Sequence, residues 1–90
     1  FTPLLSASRK GYTDVVAALL KHGANVSNRG PNGVTALLLA CSEGHLPTAR
    51  VLVDGGAVVD STNDDGGSPL WAAAVEDHDQ VVRLLVECGA

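Results

Sequence analysis

Apolar and polar residues recur along the 90-residue chain at a fixed spacing of 33 positions, and no insertion interrupts this spacing. The recurring identities are Leu4, Leu37 and Leu70; Ala7, Ala40 and Ala73; Leu19, Leu52 and Leu85; and the Gly-Ala pairs at 23–24, 56–57 and 89–90. Self-similarity with a period of 20–50 residues is typical of repeat architectures, in which each unit stacks on the next.

Within one unit, the pattern predicts two short helices followed by a polar loop. In the first unit, Thr2 is suited to cap a helix whose first position is Pro3. Gly11 is predicted to end that helix in a left-handed conformation. A second helix carries an apolar stripe formed by Val15, Val16, Leu19 and Leu20. The stretch NVSNRGPNG that follows has turn chemistry and no helical period. Because helices this short are unstable alone, their apolar faces need neighbouring units.

The three units resemble the ankyrin repeat. The motifs that carry the resemblance are TPLLSA, TALLLA and SPLWAA; GY, GH and DH; VVAALL, TARVLV and VVRLLV; and the closing Gly-Ala. The resemblance implies an all-α solenoid of antiparallel helix pairs, with β-hairpin loops that project at right angles. It divides the chain into repeats at 1–33, without its opening turn, at 34–66, and at 67–90, truncated after its second helix. We therefore expect a segment of a longer array with flanking ankyrin repeats.

Two departures from the ankyrin pattern bear on the packing. The family histidine after Pro-Leu, which ties neighbouring repeats by hydrogen bonds, is replaced by Leu5, Leu38 and Trp71, so apolar packing is expected instead. Asp77 stands where the other two units have a glycine, and Asp tolerates a left-handed backbone better than most residues. Trp71 has two interpretations, as a packing residue beneath a neighbouring repeat or as an interface anchor, and the first is preferred.

Charge and composition exclude several classes of protein. The net charge is −4, with a +3 balance in the first 33 residues and a −7 balance in the rest. Nucleic-acid binding is not expected, because it needs a broad basic surface. Insertion into a membrane is not expected either, since no apolar run approaches about 20 residues. Two unpaired cysteines, Cys41 and Cys88, favour a reducing compartment and therefore an intracellular location, cytoplasmic or nuclear.

No constellation of residues points to catalysis, and the chain is not expected to be an enzyme. His45 and His78 occupy the same phase of successive repeats, so they should lie about one repeat apart. Cys41 and His45 are separated by Gly44, a predicted helix end. A zinc site usually has four ligands, so we expect neither a metal site nor a nucleophile site at this pair. The GPNG and DDGG turns lack the lysine of a phosphate loop. We expect no metal and no cofactor.

The positions that change residue type at a fixed phase are the candidates for recognition. By resemblance, loop tips and the outer ends of first helices line a concave groove for a protein or peptide partner. The candidates are Arg29, Pro31, Asn32 and Val34 in the first loop; Thr62, Asp64, Asp65 and Gly67 in the second; and Arg9, Lys10, Ser42, Glu43, Val75 and Glu76 on the helices.

The expected function is a non-catalytic protein-interaction scaffold. Two alternatives stay open: a targeting subunit of the ubiquitin-ligase substrate-receptor type, and one non-catalytic domain of a larger enzyme or channel. Sequence outside these 90 residues would distinguish them. A designed repeat protein is a third possibility, but it is disfavoured because the first two units differ at most positions.

Overall fold

The computed structural model describes all 90 residues and contains six α-helices and no β-strand. The helices are α1 (Pro3–Lys10), α2 (Thr13–Lys21), α3 (Ala36–Ser42), α4 (Leu46–Asp54), α5 (Pro69–Val75) and α6 (Asp79–Glu87). Loop 1, residues 22–35, joins α2 to α3 and contains a short 3-10 turn, and loop 2, residues 55–68, joins α4 to α5. No helix is both long enough and apolar enough to cross a membrane. The all-α class is confirmed.

The six helices form two layers. Within each unit the two helices pair, as α1 with α2, α3 with α4 and α5 with α6. Between units, α3 packs between α1 and α5, while α4 packs between α2 and α6. Each helix therefore contacts its partner in the unit and its equivalent in the next unit. This nearest-neighbour pattern defines a solenoid.

Local sequence signals set the helix ends as predicted. The hydroxyl oxygens of Thr2, Thr35 and Ser68 accept hydrogen bonds from amides three residues further on, at 3.2, 3.2 and 3.1 Å. Gly11 ends α1 with a left-handed φ of 76°. Asp77 takes the equivalent place after α5 with a φ of 60°, at a cost of about 1 kcal/mol relative to glycine.

The core is a row of leucine and alanine layers between units. Leu37, Leu52 and Leu85 are almost completely buried, with exposed fractions of 1%, 0% and 0%. The predicted stripe on α2 is only partly correct, because Val16 is buried while Val15 is 47% exposed. The position equivalent to Val15 in the second unit, Thr48, is buried. Position 15 is exposed because α2 has a helix of another unit on one side only.

Hydrogen bonds from two histidines connect successive units. Nε2 of His45 donates to the carbonyl of Arg9 at 2.9 Å, and Nε2 of His78 donates to the carbonyl of Ser42 at 3.0 Å. A Cβ atom on Gly11 would lie 2.6 Å from the His45 ring, so only glycine permits this contact. Leu5 and Leu38 are buried, as the apolar-packing expectation requires. The hydrogen bonds between units nevertheless persist, supplied by histidines at another phase.

The loops turn back on themselves without forming the expected β-hairpins. In loop 1 the Gly30 amide donates to the Val34 carbonyl at 2.8 Å, and in loop 2 the Asn63 amide donates to the Gly67 carbonyl at 2.9 Å. Each of these bonds closes a tight turn that contains a left-handed residue, Asn32 in loop 1 and Gly66 in loop 2, and no strand forms beside it. One backbone bond across a tight turn is too short a ladder to make a strand.

We expect Leu52→Ala to destabilise the protein more than Leu85→Ala. Both side chains are fully buried, but α4 packs against helices of two neighbouring units and α6 against one. Loss of a buried leucine costs about 2–5 kcal/mol, more where the surroundings cannot collapse into the cavity. Chemical denaturation of the two variants measures this difference, and the opposite order would show that the central unit is not the more constrained one.

Ser8→Ala is expected to stabilise the protein by about 1 kcal/mol. The Ser8 hydroxyl is buried and has no hydrogen-bond partner, so removing it relieves a desolvation cost. The equivalent residues, Cys41 and Ala74, show that a small apolar group is compatible with this position. Thermal denaturation tests the change.

Thr48→Val is the matched control for Ser8→Ala. The buried Thr48 hydroxyl does have a partner, Oγ1 of Thr13 at 2.8 Å, so its removal should destabilise the protein. If both variants lost stability to the same extent, the difference between the two hydroxyls would be refuted.

Candidate partner-binding surface

The carboxyl-terminal ends of α1, α3 and α5 lie side by side and present two rows of variable residues. The first row is Arg9, Ser42 and Val75, and the second is Lys10, Glu43 and Glu76. We call these six residues the helix ridge. All are exposed except Ser42, which is half-buried. The ridge is cationic in the first unit and anionic in the second and third, so its charge changes along the stack.

The two ridge cations lie over aromatic rings of their own unit. The Arg9 guanidinium is 5.3 Å from the centroid of Phe1, and the Lys10 ammonium is 6.0 Å from that of Tyr12. Exposed contacts of this kind contribute about 0.5–1 kcal/mol each. Both cations remain exposed. The rings therefore restrict where these side chains point without removing them from contact with a partner.

Arg29 ties the two loops together. Its Nη1 donates to the carbonyls of Gly33 and Thr62 at 2.8 and 2.7 Å, and its Nη2 donates to Oγ of Ser61 at 2.7 Å. Charged hydrogen bonds of this kind are stronger than neutral ones. Arg29 thus has a structural role that its place at a predicted loop tip did not reveal. Direct contact with a partner stays a prediction for Arg29.

The loop tips also contact each other. Nδ2 of Asn32 donates to Oδ2 of Asp65 at 2.8 Å, and the Asp64 amide donates to the Asn32 carbonyl at 2.9 Å. A Cβ atom on Gly33 would lie 2.4 Å from the Asp64 carboxylate, so glycine is required at this approach. Asn32, Asp64 and Asp65 are exposed, but part of their hydrogen-bonding capacity is already used within the stack.

The other loop candidates have simpler surroundings. Pro31 and Thr62 are exposed, Val34 is half-buried and Gly67 is buried. Asn63 was not among the predicted candidates, yet its Oδ1 accepts hydrogen bonds from the amides of Asp65 and Gly67 at 3.0 and 2.9 Å. The Asn residue that opens NDDGG is the signal, because Asn side chains stabilise such turns by bonding backbone amides two residues on.

Trp71 is exposed, contrary to the preferred interpretation of a packing residue beneath a neighbouring repeat. Its exposed fraction is 59%, whereas the equivalent Leu5 and Leu38 are exposed by 1% and 6%. Those leucines belong to α1 and α3, which are followed by another unit, and Trp71 belongs to α5, which has a helix of another unit on one side only. One edge of the indole lies against Gly67.

The surface carries clefts of different size and no cluster of metal-ligating side chains. No group of three or more His, Cys, Asp or Glu side chains could hold a metal ion. The cleft between the two loops has a volume of about 160 Å³ and is lined by residues that include Val26, Arg29 and Val58. A larger cleft of about 450 Å³ lies along Gly11, Tyr12, Thr13, Asp14 and Val15, between α1 and the start of α2.

The comparisons with known proteins agree with this architecture. The family model described as ankyrin repeats (3 copies) matches residues 4–90, and the chain therefore belongs to the ankyrin repeat family. The crystal structure of the human ASB11 ankyrin repeat domain superposes on the whole chain, with a TM-score of 0.96 and 32% sequence identity. The chain spans 41% of that domain. Comparison with curated proteins finds no match. Ankyrin repeats are generally protein-interaction scaffolds and generally non-catalytic.

The two cysteines should differ sharply in reactivity. Burial raises the pKa of the Cys41 thiol from 9.0 to about 12, whereas Cys88 is exposed. Because the thiolate is the reactive form, a thiol reagent at pH 8 should modify only Cys88 quickly in the folded chain. In denaturant it should modify both Cys41 and Cys88. Mass spectrometry locates the modified residue. Rapid modification of Cys41 in the folded protein would contradict its burial.

The same shift predicts how stability depends on pH. Since the folded-state pKa of Cys41 is raised, its contribution to stability is fully present below about pH 9 and is lost as the pH rises towards 12. Denaturation of wild type and Cys41→Ala between pH 7 and 11 isolates this contribution, because the variant lacks the titrating thiol.

Proposed function

We propose that the chain is a non-catalytic scaffold that binds a protein or peptide partner along the helix ridge and the adjoining loop tips. The observation that carries the proposal is a contrast between positions of the same period. Leu37 and Ala40 repeat in type and are buried, whereas Glu43 changes in type between units and is exposed. Residues released from packing are available for recognition, and the family generally serves protein interaction.

The rigidity of the surface supports this function. Arg29 and Asn32 join the two loops, while His45 and His78 join the helix pairs at the other side of the stack. A surface held in one arrangement before binding loses little conformational entropy when a partner docks. Arg29, Asn32, Asp64 and Asp65 would then contribute by fixing the loop tips as well as by contact.

The change of charge along the helix ridge suggests how charges are arranged on the partner. A partner that runs along the stack would meet Arg9 and Lys10 at one end and Glu43 and Glu76 further on. Complementary charges mainly accelerate association and set orientation. Each exposed pair adds only about 0.2–1 kcal/mol. Affinity would depend more on an apolar contact such as Val75, which is 57% exposed.

Further ankyrin repeats and an intracellular location complete the proposal. The similarity to a domain of which this chain spans 41% supports a longer array. Two free cysteines support a reducing compartment. The alternative roles, a targeting subunit or a non-catalytic domain of a larger enzyme or channel, use the same binding surface, and neighbouring domains would decide between them.

Charge reversal on the ridge tests the proposed surface. In the complete array, Glu43→Lys with Glu76→Lys and, separately, Arg9→Glu with Lys10→Glu should each leave the fold intact by circular dichroism. At least one pair should slow association with a partner isolated by affinity capture with the wild-type protein. The difference should shrink as the salt concentration rises, because exposed charges are screened.

The matched control reverses two exposed charges on the second helices, Lys21→Glu with Asp54→Lys. This pair should leave association unchanged. If the control slowed binding and neither ridge pair did, the partner would dock on the opposite side of the stack.

A further inference from the structure

The hydrogen bonds that side chains donate between loop 1 and loop 2 all run from loop 1 to loop 2. The side chains of Arg29 and Asn32 in loop 1 donate. Loop 2 accepts these bonds through the Thr62 carbonyl, the Ser61 hydroxyl and the Asp65 carboxylate. Loop 1 therefore supplies the donors of these side-chain bonds and loop 2 supplies their acceptors, whereas a backbone bond from the Asp64 amide to the Asn32 carbonyl runs the other way.

Loop 2 cannot repeat this arrangement towards a further unit. The residues 33 positions after Arg29 and Asn32 are Thr62 and Asp65, so a short hydroxyl and a carboxylate replace the two long donors. Loop 2 contains three aspartates and no lysine or arginine, whereas loop 1 contains Arg29 and no acidic residue. If the loop of a further unit offered the same hydrogen-bond acceptors as loop 2, these acceptors would face the acceptors and the negative charge of loop 2 itself.

The place that such a loop would occupy is open. A Cβ atom on Gly33 would collide with Asp64 of the next loop, but one on the equivalent Gly66 would meet nothing within 4 Å. A cleft of about 290 Å³ lies there, lined by Asn63, Asp65, Gly66, Gly67 and Trp71. We call it the loop-2 slot. Two hydrogen bonds to Asn63 hold its backbone, so the slot is formed before anything binds.

We propose that the loop-2 slot receives the loop of a further ankyrin repeat, and that this loop carries an arginine or lysine between the Trp71 ring and the Asp65 carboxylate. The inference rests on the proposed array and adds the chemistry of its next contact. The occupant follows from continuity with the existing interface, since loop 1 receives loop 2 at the equivalent place. The cation follows from the polarity, because Asp65 accepts hydrogen bonds and an indole face attracts a cation.

The test uses the longest natural chain that contains these residues. Tryptophan is replaced by 5-fluorotryptophan, and the Trp71 fluorine resonance is assigned from its loss in Trp71→Phe. A small solvent isotope shift is expected for this resonance in the wild type, which shows that the ring is covered. Asp65→Lys should increase that shift, because it places like charges together in the slot.

Two control variants separate the slot from general loop damage. Asp60→Lys introduces the same charge change at an exposed position of loop 2 outside the slot. Asn32→Gly removes the hydrogen bond to Asp65 while keeping the left-handed backbone at position 32. Both should leave the Trp71 resonance as in the wild type.

Three results would overturn the proposal. One is a solvent-exposed Trp71 in the wild-type chain. Another is a Trp71 that becomes covered only when a separate protein is added, since the occupant would then be a partner. The third is an Asp65→Lys effect absent or no larger than that of Asp60→Lys, since the slot would then not hold a cation. The Trp71 measurement does not depend on how the ridge variants bind a partner. A failure of the slot proposal can therefore be told apart from a failure of the proposed binding function.

Discussion

The spacing of 33 residues is the constraint on which the rest of the structure depends. Helices of seven to nine residues are unstable alone, so they persist only because each buries an apolar face against the next unit. Leu37 must fit both α1 and α5, and Leu52 must fit the layers on both sides of α4. An insertion of even one residue in a helix would turn these side chains away from their neighbours. The stack therefore accepts charged residues at phases that face solvent, whereas a buried phase such as that of Ser8 and Cys41 varies only among small side chains.

Hydrogen bonds connect successive units at two separate places in the stack. On the side of the short inter-helix turns, His45 and His78 bond to carbonyls at the ends of α1 and α3. On the side of the loops, Arg29 and Asn32 bond across to loop 2. These bonds add direction to an apolar interface that has none of its own. Both sets of hydrogen bonds hold the units that carry the helix ridge, and they keep its exposed rows in a fixed arrangement.

The sequence was sufficient for the helices and their ends, because these depend on local chemistry. Thr2 as a cap, Gly11 as a helix end and Asp77 in a left-handed conformation are all confirmed. The pattern misjudged Val15 and Trp71, because their burial depends on whether another unit lies on the relevant side. The loops that the resemblance placed between units are present, and each closes through a single backbone bond across its turn, in keeping with its turn-rich composition.

The candidate surface was predictable only in part. Variation at a fixed phase identified the helix ridge, and its exposure follows from the two-layer stack. The roles of Arg29 and Asn32 could not be read from the pattern, since their acceptors are 32 and 33 residues away and include a backbone carbonyl. Such contacts are known only once the loops are placed beside each other.

The central claim is that the units are stable through their interfaces, and amide hydrogen exchange of Leu37→Ala tests it most directly. Leu37 is 1% exposed and lies in α3, between α1 and α5. If stacking holds the fold, the substitution should accelerate exchange in α1 and α5 as well as in α3, because all three lose a shared interface. Acceleration confined to α3 and α4 would show that each helix pair is stable by itself, and would contradict the account.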